Sequence, residues 1–177
     1  QMNIDKATLG FALIGLPLGV QLTLLFADRI VRKFNFRLIL TIGIPLLSIS
    51  QCFAALMQSP YLFAGILIIG GASIAVIEVA VNLEADRIEA SIGKRIMNRS
   101  HAYWSFGFFG AGIIGAGFSQ FGISPFLHFV AITFFISIIT NLLFLDYIAA
   151  KPRRQSLPPQ KKVFVWPSKS IFFLVLF

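Results

Sequence analysis

Five apolar stretches of this 177-residue chain are each long enough to cross a lipid bilayer, and no other feature constrains its fold as much. A transmembrane helix needs about 20 consecutive, predominantly apolar residues. The stretches cover residues 7–27, 38–58, 61–83, 100–122 and 124–145. They predict an all-α membrane protein built as a helical bundle, with the lipid bilayer as its surroundings.

The composition agrees with a membrane location and excludes other classes. Hydrophobic residues make up 57% of the chain and charged residues only 12%, against about 25% charge in an ordinary soluble domain. A soluble enzyme is therefore excluded, as is a disordered chain, which needs low hydrophobicity. The net charge of +8 does not indicate nucleic acid as a partner, because the basic residues lie in loops between the apolar stretches.

The distribution of Lys and Arg predicts the orientation in the membrane. Fourteen of the fifteen basic residues lie in three alternate loops, 28–37, 84–99 and 146–170. Cytoplasmic loops carry such an excess of Lys and Arg. We therefore expect these three loops to be cytoplasmic and residues 1–6 to be external.

The two ends indicate part of a longer chain. An external start without a signal sequence suggests that an earlier span is absent. The apolar residues 171–177 would reach only about 10 Å as a helix, so we expect them to begin a truncated further span. Residues 148–170, with four prolines, are expected to form an extended cytoplasmic linker. The alternative is a genuine five-span protein.

Glu78 is the clearest candidate for a functional residue. It precedes the expected cytoplasmic end of its span by six residues, which places it about 9 Å inside the apolar layer. Ionisable residues at that depth are rare and often mark a solute or proton pathway. Asn82 lies one turn away on the same face. The alternative is a structural carboxyl group that is hydrogen-bonded to a neighbouring helix.

The next apolar stretch supplies further candidates. His101, Trp104 and Ser105 share one helical stripe, and antiparallel neighbours would place them level with Asn82 and Glu78. The interpretation is a polar seam between two helices; the alternative is that Trp104 is an interfacial anchor and His101 faces lipid headgroups. The same stretch carries small residues that would allow close helix packing, namely Gly107, Gly110, Gly112 and Gly115.

The chain shows no pattern of a catalytic, nucleotide-binding or metal-binding site. There is no Gly-rich phosphate loop followed by Lys and Ser or Thr, and no His, Cys and carboxylate cluster with metal-ligand spacing. We expect neither an enzyme nor a bound cofactor.

Three segments resemble a known family, the major facilitator superfamily, and within it a bacterial branch of fucose-permease-like carriers. The segments are Glu78-Val-Ala-Val-Asn82-Leu-Glu-Ala85, Gly93-Lys-Arg-Ile-Met97 and His101-Ala-Tyr-Trp104-Ser105-Phe-Gly107. The resemblance implies that the five spans are helices two to six of an N-terminal half, and that the C-terminal half is missing. It also implies a bacterial inner membrane as the location.

A looser resemblance concerns the first basic loop. Asp28, Arg29 and Arg32 resemble a superfamily loop motif whose charges help to close the cytoplasmic side, although both customary glycines are replaced. The function implied is secondary transport of a small polar solute by alternating access, coupled to protons, with the solute near the midplane. The alternative is a helical membrane scaffold or sensor that does not transport.

Overall fold

Six helices form the part of the chain that the structure, a computed structural model, describes, which is residues 4–151. They are α1 (Lys6–Leu13), α2 (Gly15–Lys33), α3 (Phe36–Leu56), α4 (Pro60–Ile92), α5 (Met97–Gln120) and α6 (Pro125–Phe144). No strand occurs between residues 4 and 151. Most of the expected linker 148–170 and all of the expected span start 171–177 lie outside the described residues.

The helices confirm the expected all-α membrane bundle. Four segments are both long and apolar enough to cross a bilayer: Lys6–Lys33, Phe36–Leu56, Pro60–Ile92 and Pro125–Phe144. Helix α5, at 24 residues, is long enough but is not among these four; five glycines and several polar residues dilute its apolar character. The described chain is therefore a multi-pass membrane protein.

The first span is interrupted at Ile14, which separates α1 from α2. Pro17 explains the interruption, because proline has no N–H to donate and its ring clashes with the carbonyl group four residues earlier, here that of Leu13. The helix resumes at once, and the Leu18 N–H donates to the Ile14 carbonyl at 3.0 Å. Pro45, by contrast, lies within the continuous helix α3.

Local capping residues fix the ends of the spans. The Asn35 side chain caps α3 by accepting a hydrogen bond from the Leu38 N–H at 2.7 Å, and Ser124 caps α6. Gly93 ends α4 in the left-handed conformation, with φ of 65°, which glycine adopts without a steric penalty. With 33 residues α4 is about 50 Å long, so it projects well beyond a hydrocarbon core of about 30 Å.

Helix α4 is the centre of the bundle, with α2 and α3 packed against it and α6 packed on α3. The α2–α4 contact is very close, because Gly15 and Gly19 of α2 and Gly71 of α4 lie directly against the opposite backbone. Helix α5 makes little contact with its neighbours and buries no residue within the described chain.

Candidate functional site

Glu78 and Asn82 lie near the middle of the long helix α4. Glu78 is exposed and Asn82 is half-buried, while Ala75 and Ala80 on the same helix are buried. A helix repeats its faces every three to four residues, so Glu78 continues the stripe formed by Phe63, Leu67 and Ile74. The Glu78 carboxylate is therefore on an open side of α4, one turn beyond Ile74.

This stripe of α4 forms one wall of a cavity of about 620 Å³. Residues of the first span, α3 and α6 complete the lining, which is largely apolar. Ser48, Gln51 and Thr133 are its polar members, and the Thr133 hydroxyl lies 3.3 Å from the Cys52 thiol. A second cavity of about 440 Å³, between α2, α3 and α4, is almost entirely apolar. The polar members of the first cavity thus lie opposite the stripe that ends at Ile74, one turn before Glu78.

Between residues 4 and 151, no hydrogen bond, ion pair or ring contact joins the candidate residues of α5 to Glu78 or Asn82. His101, Trp104 and Ser105 are exposed, and Trp104 stacks on Phe108 of its own helix with ring centroids 5.9 Å apart. The Ser105 hydroxyl donates to the His101 carbonyl at 3.1 Å, within the helix. The polar seam between α4 and α5 therefore stays a prediction.

The glycines of α5 face open space in the described part of the chain. A Cβ atom at Gly107, Gly110 or Gly112 would have nothing within 4 Å, and one at Gly115 would meet only the His128 ring, at 3.6 Å. Their use in helix packing also stays a prediction. The close packing that the structure does contain involves Gly15, Gly19 and Gly71 instead.

The charged residues of the first basic loop lie on the last turns of α2. Asp28 accepts hydrogen bonds from the Arg32 guanidinium one turn later, with the closest N–O distance at 2.9 Å. Both side chains are largely exposed, at 67% and 75%, so the pair contributes at most about 1 kcal/mol to stability. Arg29 lies 6.0 Å from the centre of the Phe26 ring. The role of these residues as a gate stays a prediction.

A buried carboxylate in the C-terminal part of α4 is the site that the sequence analysis missed. Glu84 is only 2% exposed. Its Oε1 atom accepts hydrogen bonds from the Tyr147 hydroxyl at 2.9 Å and from the Ala150 N–H at 2.5 Å, and its Oε2 atom lies 3.3 Å from the Arg87 guanidinium. We call Glu84, Arg87, Tyr147 and Ala150 the Glu84 cluster. It connects α4 to the residues that follow α6.

Aromatic packing holds Tyr147 in place. Its ring centroid lies 5.3 Å from that of Phe36, the first residue of α3, and 5.4 Å from that of Phe144, the last residue of α6. Burial, followed by the hydrogen bond to Glu84 and the charge of that carboxylate, raises the pKa of Tyr147 to about 12. The phenol therefore remains protonated at neutral pH and is a permanent donor to Glu84.

Glu89, two turns after the span expected from the sequence, holds the corner between α4 and α5. Its Oε1 atom accepts hydrogen bonds from the backbone N–H groups of Ile96 and Met97, at 2.6 and 2.7 Å. Ile96 is the N-cap of α5 and Met97 its first residue, and the N–H groups at the start of a helix have no acceptors within it. The carboxylate thus replaces the cap that Ile96 itself does not supply.

The missed residues did carry a signal in the sequence. Ser73 and Ala80 share the buried face of α4 and are seven residues apart. Glu84 follows Ala80 by four residues, so helical periodicity places it on the same face. Gly15 and Gly19 are four residues apart, as in the glycine pairs that bring membrane helices together. Among residues 4–151, no group of three or more His, Cys, Asp or Glu residues is placed to hold a metal ion.

Comparison with known proteins gives one partial similarity. Over 113 residues the chain is 26% identical to an uncharacterized MFS-type transporter of Yersinia pestis. The matched region is 63% of this chain and 29% of that protein, so the chain covers less than a third of its relative. No family model and no solved structure matches the chain.

Proposed function

We propose that this chain is part of a secondary transporter of the major facilitator superfamily, which moves a small polar solute across the membrane by alternating access. The observation that carries the proposal is the similarity to an MFS-type transporter, found in a chain that folds into a bundle of long apolar helices. A transporter of this kind catalyses no chemical change and needs no cofactor.

The same proposal assigns the chain a place in the whole protein. The segments around Glu78, Gly93 and His101 support a fucose-permease-like branch, with α2 to α6 as the main part of an N-terminal half. A C-terminal half would supply the other side of the solute path. The location would be a bacterial inner membrane, with the three basic loops in the cytoplasm.

We assign the coupling proton to Glu78. Its exposed position near the middle of α4, one turn beyond Ile74 in the wall of the partly polar cavity, supports this assignment. A carboxyl group that meets water in one state and lipid or protein in the other changes its affinity for a proton between the two states. That change is what proton coupling requires, and Asn82, one turn away, offers a hydrogen-bonding partner to either form.

The test is solute uptake into proteoliposomes that contain the full-length protein, across a panel of small polar compounds, with and without a pH gradient. Glu78→Gln keeps the shape of the side chain and removes its titration. We expect this variant to lose accumulation driven by the pH gradient while it retains exchange of solute across the membrane.

The matched control is Asp146→Asn, which removes an exposed carboxylate outside the helices. Accumulation by Glu78→Gln at the level of the parent would refute the role of Glu78. Absence of flux for every compound, in a protein that inserts normally, would favour the scaffold or sensor instead.

The gate at the cytoplasmic side is tested separately with Asp28→Asn, which breaks the pair with Arg32. If this pair helps to close the cytoplasmic side, the variant should insert normally and transport more slowly. Transport at the parental rate would leave the loop with a role in membrane orientation only.

A further inference from the structure

The Glu84 cluster joins two parts of the bundle that do not otherwise pack together extensively. Helix α6 packs on α3, and α3 packs on α4, so α3 lies between the other two helices. At the cytoplasmic end, however, the Glu84 carboxylate of α4 reaches the hydroxyl of Tyr147 and the backbone N–H of Ala150, both beyond the end of α6.

The hydrogen-bond partners of the Glu84 carboxylate explain why it is buried at this position. Burial of a charged group is unfavourable unless hydrogen bonds and an opposite charge compensate it. Here the compensation comes from one hydroxyl, one backbone N–H and one guanidinium, and no buried side-chain oxygen or nitrogen among the described residues lacks a partner. Two of the three donors come from the short segment after α6, whose Ala150 has no helical carbonyl to bind. Glu84 and this segment therefore satisfy each other.

The attachment is also suited to release. The segment from Leu145 to Lys151 is not helical, and Asp146, Ile148 and Ala149 within it are exposed. Its separation from α4 would break the two hydrogen bonds to Glu84 and the Tyr147 ring contacts, without unfolding any helix. Such local openings have a smaller free energy than global unfolding.

We propose that the Glu84 cluster is a releasable attachment, which fixes the segment after α6 to the cytoplasmic end of α4 and frees it when these two ends move apart. Glu84 is a positioning residue in this arrangement, since it acts by holding Tyr147 and Ala150. The attachment itself does not depend on the proposed transport function. If that function holds, release accompanies the opening of the cytoplasmic side.

Hydrogen–deuterium exchange of the full-length protein in lipid nanodiscs tests the attachment without any solute. Tyr147→Phe removes one donor and keeps the ring that packs on Phe36 and Phe144. Glu84→Ala removes the acceptor for both donors. We expect each variant to exchange the amides of residues 147–151 about tenfold faster than the parent or more, since a hydrogen bond to a charged group contributes at least about a decade in an equilibrium constant. The amides of α3 and α4 should exchange at the parental rate in Tyr147→Phe.

Two controls separate a releasable attachment from general packing. Asp146→Asn changes the neighbouring carboxylate, which is exposed, and should leave exchange unchanged. Gly19→Ala disturbs the distant α2–α4 contact, and should leave the exchange of residues 147–151 unchanged while it accelerates that of the helical core.

The proposal is overturned if Tyr147→Phe and Glu84→Ala exchange residues 147–151 like the parent. It is also overturned if either variant accelerates exchange throughout α3, α4 and α6, because Glu84 would then be a general packing residue. Acceleration of residues 147–151 by Gly19→Ala would show that the segment opens only with the whole bundle. These outcomes are read from exchange alone, so they are distinct from a failure to transport.

Discussion

The close contact between α2 and α4 allows a strong prediction about a single methyl group. A Cβ atom at Gly19 would lie 2.8 Å from both the Cα and the carbonyl carbon of Ile68, and closer still to the Ile68 carbonyl oxygen. Ordinary van der Waals contact begins at 3.4 Å, so the carbon contacts alone are about 0.6 Å too short. All the atoms that obstruct the methyl group belong to the backbone of α4, so no side chain can rotate to make room.

Gly19→Ala should therefore force α2 and α4 apart. Overpacking of a well-packed interior costs roughly 1–3 kcal/mol, and here the separation also loosens the packing along the rest of the α2–α4 interface. We expect the upper part of that range. The measurement is the free energy of unfolding in mixed micelles with increasing denaturing detergent, followed by circular dichroism.

Gly65→Ala is the matched control, because it adds the same methyl group to α4 at a position with nothing within 4 Å. The better helix propensity of alanine should make this control neutral or stabilising by up to about 1 kcal/mol. Equal stability of Gly19→Ala and Gly65→Ala would refute the argument that backbone contact between α2 and α4 holds this bundle together.

Three further predictions concern Tyr147, Glu89 and the orientation of the loops. Difference absorbance titration should give the Tyr147 phenol a midpoint near pH 12, and Glu84→Gln should lower this midpoint. Folding raises the pKa of Tyr147 above its usual value of 10.0. The stability that the protonated phenol contributes is therefore complete below pH 10 and is lost as the pH rises through 12. A parental midpoint near 10 would contradict the burial of the phenol. Glu89→Ala should accelerate exchange of the Ile96 and Met97 amides about tenfold, because each loses a hydrogen bond to a carboxylate. Unchanged exchange of these amides would show that another group holds the corner between α4 and α5. The predicted orientation is tested with Lys94→Cys and Ser59→Cys in a background without the native cysteine. The thiol of Lys94→Cys should react with an impermeant maleimide only from the cytoplasmic side, and that of Ser59→Cys only from outside. The reverse pattern would refute the predicted orientation.

The sequence predicts the helices well, because lipid imposes a simple rule on their length and polarity. Apolar stretches of about 20 residues are expected to be helices in a membrane, and each of the five falls largely within helical segments of the structure, although the first is divided at Ile14. Gly93 marked the end of α4, since an αL residue is a common helix terminus. Pro17 was the only sequence signal for the break at Ile14. It does not predict a break by itself, because a proline in a membrane helix is compatible with a kink, an interruption or neither.

Helix contacts were less predictable, because they depend on the partner as much as on the helix. Gly15 and Gly19 pack tightly, since the α4 backbone comes directly against them. The more numerous glycines of α5 meet almost nothing in the described chain. Small residues permit a close approach but supply no attraction of their own until another helix is present. A glycine pattern therefore predicts a possible contact surface, and the rest of the fold decides whether it is used.

Glu78 and Glu84, two of the carboxylates of α4, show why depth in the membrane is an incomplete guide to function. Glu78 attracts attention first because it lies deeper along the span, and Glu84 looks like the first residue of a polar loop. Six residues turn a helix by roughly 240°, so the two side chains point to different surroundings. Glu78 is exposed, one turn beyond Ile74 of the cavity wall, while Glu84 is buried against Tyr147 and its neighbours. An open carboxylate can exchange protons or contact a solute, whereas one with three fixed donors can only hold them. The two faces of the helix agree with the two proposed roles, transport for Glu78 and attachment for Glu84, and a variant of either should leave the readout of the other intact.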